Sequence, residues 1–235
     1  MNDASAAQPA SGAEPQMLQH SRVRLALHTL RPAAERSEPT RPLLLLHGLG
    51  ERSPASLPPE YAPWPGSVLA LDFTGHGASS VPQGGGYTCE LLMADVDVAI
   101  AHVGVVTLVG RGLGAYVALL IAGARPDLVR GALLRDGPGL AGGGSGSTSP
   151  FVPFVDREQV APPDPYAIVE LATDIRPPDY AAFYVREAVQ RSGLDRPISV
   201  CTRERPGWLA GLMTELGVEE TTVAEALEYH ARASD

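Results

Sequence analysis

One stretch limits what this chain can fold into more than any other: Val105-Val106-Thr107-Leu108-Val109, then Gly110-Arg111-Gly112-Leu113-Gly114, then Ala115-Tyr116-Val117-Ala118-Leu119-Leu120. The β-branched run predicts a buried strand, and the glycine cluster turns the chain sharply. The Ala/Leu-rich run predicts a helix that stops near Arg125-Pro126, because proline cannot continue it. Such a turn sits at a helix N-terminus, where unpaired backbone N–H groups favour negative charge. Two readings fit this segment equally. One is a small-x-nucleophile-x-small turn, with Gly110 and Gly114 in the small positions and Gly112 where a Ser, Cys or Asp would stand. The other is a G-x-G-x-x-G/A dinucleotide fingerprint on Gly110, Gly112 and Ala115, with Asp136 placed to hold a ribose hydroxyl.

The remainder of the chain alternates strands with helices. Residues 23–30 alternate apolar and polar, as a half-buried strand does. Leu43–Leu46 and Val68–Leu71 are short, fully apolar runs of the kind found in central parallel strands. Residues 88–102 carry apolar groups at helical spacing behind Thr88, a suitable N-cap. Residues 129–134 and 198–202 predict further strands, and 208–216 a helix. Residues 219–226 fit a last strand or part of a terminal helix. Between 140 and 196 the pattern changes: a Gly/Ser-rich segment to 150, then two helical stretches, 165–175 and 178–192, each started by a pair of prolines. The fold class that follows is α/β with a mostly parallel sheet.

Composition narrows the function classes. All 18 basic residues are arginines, so lysine-based Schiff-base or P-loop chemistry is excluded. A net charge of −9 argues against nucleic acid or an anionic membrane as a partner. Cys89 and Cys201 lie far apart, without metal-ligand spacing, and are expected as free thiols in a reducing, cytoplasmic setting. No metal or cofactor is expected. Residues 1–16 lack the basic and apolar regions of a signal peptide, and residues 1–20 are expected as a disordered tail.

Several motifs in order resemble those of the α/β-hydrolase superfamily, over most of the chain from Val23 on. His47-Gly48 looks like its oxyanion-loop motif, and Asp72-Phe73-Thr74-Gly75-His76-Gly77-Ala78-Ser79 looks like its D-x-x-G-H-G-x-S segment. Gly110 to Gly114 stands where that family has V-G-H-S-x-G, and Arg125-Pro126-Asp127-Leu128-Val129 resembles the run into its next strand. The resemblance implies an α/β-hydrolase core over 21–139 and 197–235, helices on both faces of the sheet, and a small helical cap over 140–196. It also implies an oxyanion hole from the backbone N–H groups of Leu49 and Leu113. It disfavours the dinucleotide reading, in which the glycine turn normally follows the first strand.

The departures from the family pattern bear on activity. Gly112 offers no nucleophile. Pro206 stands at the position of the family's acid, leaving Glu204 as a candidate in that segment. The candidate base is His230. A triad acts as a unit, so loss of one member removes most of the catalysis. The expectation is therefore a hydrolase-fold protein without ordinary hydrolase activity, binding a small apolar or ester-like ligand or a protein partner. The alternatives are an unconventional hydrolase or lyase using the oxyanion hole with His230, and a nucleotide-binding protein. An engineered Ser→Gly change at 112 is a further possibility. His47 reads equally as a shaper of the oxyanion loop or as a loop residue bonded to backbone, and Asp136 reads as a turn cap in preference to a replacement for the missing acid. Phe151, Phe154, Tyr166, Tyr180, Phe183 and Tyr184 fit either a ligand pocket under the cap or the cap's own core.

Overall fold

The computed structural model describes residues 14–20, 22–33, 40–144 and 161–233. The elements in order are β1 (Gln16–His20), β2 (Val23–Arg31), β3 (Leu43–Leu46), β4 (Val68–Leu71), α1 (Cys89–Val103), β5 (Val106–Arg111), α2 (Leu113–Ala124), β6 (Val129–Arg135), α3 (Pro165–Thr173), α4 (Pro178–Arg191), β7 (Ile198–Cys201), α5 (Gly207–Leu212), β8 (Val218–Glu220) and α6 (Val223–Arg232). The strands form one eight-stranded sheet in the order β1-β2-β4-β3-β5-β6-β7-β8. The β1–β2 and β2–β4 pairs are antiparallel and the rest are parallel.

The short leucine strand is central for a simple reason. With β4 on one side and β5 on the other, all four of its side chains are buried. Leu44 and Leu46 face the larger core with Leu69, Leu71 and Leu108, while Leu43 and Leu45 face the smaller one with Val68, Ala70 and Val109. Helices α1 to α5 contribute to the larger core, through residues such as Leu92, Leu119, Leu171, Val185 and Trp208. The smaller core is closed by α6, through Ala226 and Leu227, and by the proline-rich segment carrying Tyr61 and Trp64. Thr88 caps α1, accepting the Leu91 N–H at 3.2 Å.

Two expectations about organisation change. Gln16–His20 is not tail but an edge strand, paired in register with residues 23–27 of β2. The expected cap is smaller, because α4 packs tightly on α2 in the core layer. A Cβ at Gly123 would lie 2.3 Å from the Tyr184 carbonyl oxygen, so the two helices meet backbone to backbone there. That leaves α3 as the described part of the insertion that lies over the loops. It is clipped to the segment before α1: Tyr87 Oη donates to Asp164 at 2.6 Å, and Glu170 accepts the N–H groups of Gly86 and Tyr87. Residue 219–226 resolves into both expected forms, β8 followed by α6 with a Thr222/Glu225 capping box. Phe151, Phe154 and the Gly/Ser run from 145 lie outside the described residues.

Candidate functional site

The sharp turn between β5 and α2 has the elbow form. Gly112 adopts φ 58° and ψ −118°, a left-handed conformation that side chains other than glycine's resist. Its neighbours must be small for a different reason. A Cβ at Gly110 would sit 2.1 Å from the Gly114 carbonyl oxygen, and one at Gly114 would sit 2.5 Å from that of Leu46. The start of α2 is thus pressed onto the end of β3, and the Gly114 N–H donates to the His47 carbonyl.

The N–H groups of Leu49 and Leu113 converge on one point, and that point is occupied by the chain itself. Both donate to the Pro138 carbonyl oxygen, at 3.0 and 2.9 Å. The same oxygen lies 2.1 Å from where a Cβ on residue 112 would be. The segment 136–140, which follows β6, therefore covers both the two donors and the space a nucleophile would need. It is fastened from several sides. Arg176, fully buried, donates to the carbonyls of Gly139 and Leu140 at 2.5 and 2.6 Å and lies over the Tyr116 ring at 4.8 Å. Trp208 Nε1 donates to the Leu140 carbonyl at 2.8 Å. Arg111 pairs with Glu51 at 3.0 Å and donates to the Asp136 carbonyl, while Glu51 accepts the Gly48 N–H.

The histidines and acids are distributed differently from expectation. His230 is not beside the elbow. It lies on α6 against the first half of β6 and β7, where Ser199 Oγ is 3.0 Å from its Nε2. A Cβ at Gly131 would overlap its ring. Arg41, just before β3, holds the His230 backbone carbonyl and donates to Thr107 Oγ1, so this cluster belongs to the N-terminal ends of the strands. Thr107 is five residues before Gly112, about 16 Å along an extended strand. Burial, with Arg41 and Arg196 nearby, pushes His230 down to about 3. Glu204 is exposed and faces no histidine; its backbone N–H, with that of Arg203, is capped by the Asp136 carboxylate. The turn after β8, where the family places its histidine, is Thr221-Thr222.

His47 sits under the oxyanion loop as a neutral linker. Its Nδ1 bonds the Gly48 carbonyl at 2.8 Å and its Nε2 accepts the Phe73 N–H at 3.1 Å. Burial and the neighbouring His76 push it down to about 4. The Asp72 segment is a self-contained turn. Gly77 leaves room for the Asp72 carboxylate, which takes the N–H groups of Ser53 and Ala78 and the His28 ring. Burial alone would raise the Asp72 carboxyl, but these donors hold it well below the usual range. Gly75 packs on Tyr87 and His76 is fully buried, bonding the Thr74 carbonyl. The dinucleotide reading finds no free groups: the first N–H groups of α2 are bonded within the chain and the Asp136 carboxylate caps a turn. Among the described residues no group of side chains could hold a metal ion.

What the sequence did not disclose is the role of Pro138 and Arg176. Their contacts cross long stretches of chain; the only local hint was the Gly137-Pro138-Gly139 run, which permits a tight turn.

The profile of the Alpha/beta hydrolase family matches residues 43–231, so the chain belongs to that family. No curated protein sequence matches it. Among solved structures it resembles Est1E from Butyrivibrio proteoclasticus, determined with ferulic acid bound (TM-score 0.61, 13% identity, 92% of this chain and 96% of that one). A hypothetical protein from Pseudomonas aeruginosa is similar at TM-score 0.62 and 17% identity, over 94% of this chain and 100% of that one. So is the haloalkane dehalogenase DatA from Agrobacterium tumefaciens, at TM-score 0.57 and 19% identity, over 94% of both chains. At these identities the likeness is one of fold.

Proposed function

We propose that this chain is a hydrolase-fold protein without acyl-transfer activity, which serves as a binding protein for a small ligand. The observation that carries the reading is the Pro138 carbonyl, which takes both oxyanion donors and fills the place of a nucleophile's Cβ. Catalysis by such a hole requires its donors to be free for charge that develops in the transition state. Here they are already paired. The lack of room at residue 112 also supports Gly112 as native rather than as a substituted serine. An unconventional enzyme loses its candidate base, since His230 lies at the opposite end of the strands. The buried thiol of Cys89 and the half-buried one of Cys201 fit a cytoplasmic setting.

The test is hydrolysis of p-nitrophenyl acetate and butyrate by the native protein and by Gly112→Ser. Neither is expected to exceed the buffer rate. Turnover by the native protein would overturn the reading. Turnover by the serine variant alone would show that the covering segment moves aside and that a usable base remains, which would also overturn it.

A further inference from the structure

The sheet has two outer strands, and they are guarded differently. β8 is three residues long and carries Glu219 and Glu220, held in ion pairs by Arg196 and Arg205. Charge and shortness of this kind keep other chains from pairing with an edge. β1 has five residues with no acid or arginine among them, and its Met17 is 40% exposed. In β2 the N–H and C=O groups of Arg24 and Ala26 point to the far side, where they bond Ser80, Ser79 and Asp72. The alternation of an antiparallel ladder then turns Val23, Leu25 and Leu27 towards β1, onto His20, Leu18 and Gln16. Met17 is left with its N–H and C=O directed away from β2, along the outer edge of the sheet.

The flanks of this strand are charged. Glu14 and Arg22 are exposed, and neither takes part in an ion pair among the described residues. On the face of β1 that carries Leu18, Asp95 of α1 holds His20 at 2.7 Å. Leu91 and Val98, four residues before Asp95 and three after it, share its side of the helix and are only partly buried. They give the edge an apolar shoulder.

We infer that β1 is a pairing edge for a second copy of this chain, the two β1 strands lying antiparallel about a twofold axis at Leu18. This register sets Glu14 of each copy opposite Arg22 of the other, and Met17 opposite residue 19. The twofold makes every contact occur twice, so both ends of the joined strands gain an ion pair. The charges select the register: a slip of two residues would set Glu14 opposite residue 20 or residue 24 and part it from Arg22. The partner is a second copy because the edge complements itself. β1 stands four strands from β5, so a dimer formed there leaves the elbow and its covering segment untouched.

Sedimentation equilibrium of the full chain over a concentration series tests this. A reversible dimer is expected, with a Kd on the order of 10 µM, as suits a small interface built on one strand. Met17→Pro should abolish it while the chain stays folded by circular dichroism, because the N–H removed is not one that bonds β2. Glu14→Arg should weaken the dimer roughly fivefold by setting like charges opposite each other at both ends, and Glu14→Arg/Arg22→Glu should restore it. The charge variants decide the matter even if Met17→Pro does not fold. A monomer at every concentration would overturn the proposal. So would a dimer that survives in folded Met17→Pro, or a double variant no tighter than Glu14→Arg. The ester assay reads the elbow alone, so neither result stands in for the other.

Discussion

At the scale of single residues, Gly112 shows that the elbow backbone forms without a side chain at its apex. The elbow backbone is kept, yet a Cβ there has no space. Gly112→Ala should therefore lose stability, from the left-handed backbone and from displacement of the Pro138 carbonyl, by roughly 2–4 kcal/mol. A urea unfolding midpoint lower than that of the native protein is the expected outcome. An unchanged midpoint would mean that the segment 136–140 yields freely. The sequence displayed the vacancy at 112, because a missing side chain is a local fact. It could not display what fills the vacancy, because Pro138 reaches the elbow only once β5 and β6 lie side by side. His230 was misplaced for a related reason. It follows the last strand in sequence, but α6 runs back along the sheet, and seven residues of helix carry it about 10 Å from the turn.

At the scale of elements, most strands were legible because a strand buried on both faces has no polar residue to blur its limits. Leu43–Leu46 and Val68–Leu71 stand in the sheet as the sequence suggested. The edge strand β1 was not legible, since Gln16, Gln19 and His20 give it the polarity of a tail. Helix α4 was assigned to the cap from its place in the chain; the close approach at Gly123 puts it in the core layer instead. Helix α3 is held both by its buried Ala167 and Leu171 and by the carboxylates of Glu170 and Asp174 on backbone N–H groups of residues 86, 87 and 89. Glu170→Ala should free the N–H groups of Gly86 and Tyr87 and loosen the contact. Hydrogen exchange should then rise at residues 84–88 and along α3, with β3, β5 and β6 unchanged. Equal protection in the variant would assign the anchoring of α3 to its apolar side, Ala167 and Leu171.

At the scale of the whole molecule, buried ionisable groups tie the fold to pH. His47 and His230 titrate near 4 and 3 in the folded chain, below the ordinary histidine value of 6.5. Between those limits the unfolded chain binds more protons, so stability is full above pH 6.5 and falls as pH drops towards 4. The Asp72 carboxyl, also lowered, adds to the loss below about pH 4. Asp95, raised by burial, acts in the opposite sense. The contribution of one histidine is isolated by comparing the native protein with His230→Gln. The variant should lose less stability between pH 7 and 4, by about 2–4 kcal/mol on the scale of its shift. Parallel pH curves for the two proteins would assign the acid sensitivity to other groups.

The Pro138 carbonyl is, in kinetic terms, a ligand on a very short tether. A group joined to its own receptor faces it at an effective concentration of at least about a millimolar, set by the linker and not by the cell. Any carbonyl or anion arriving from solution must outcompete a rival that never diffuses away. On the proposed binding role, the segment 136–140 closes the two donors to substrate-like molecules, independently of the missing side chain at residue 112.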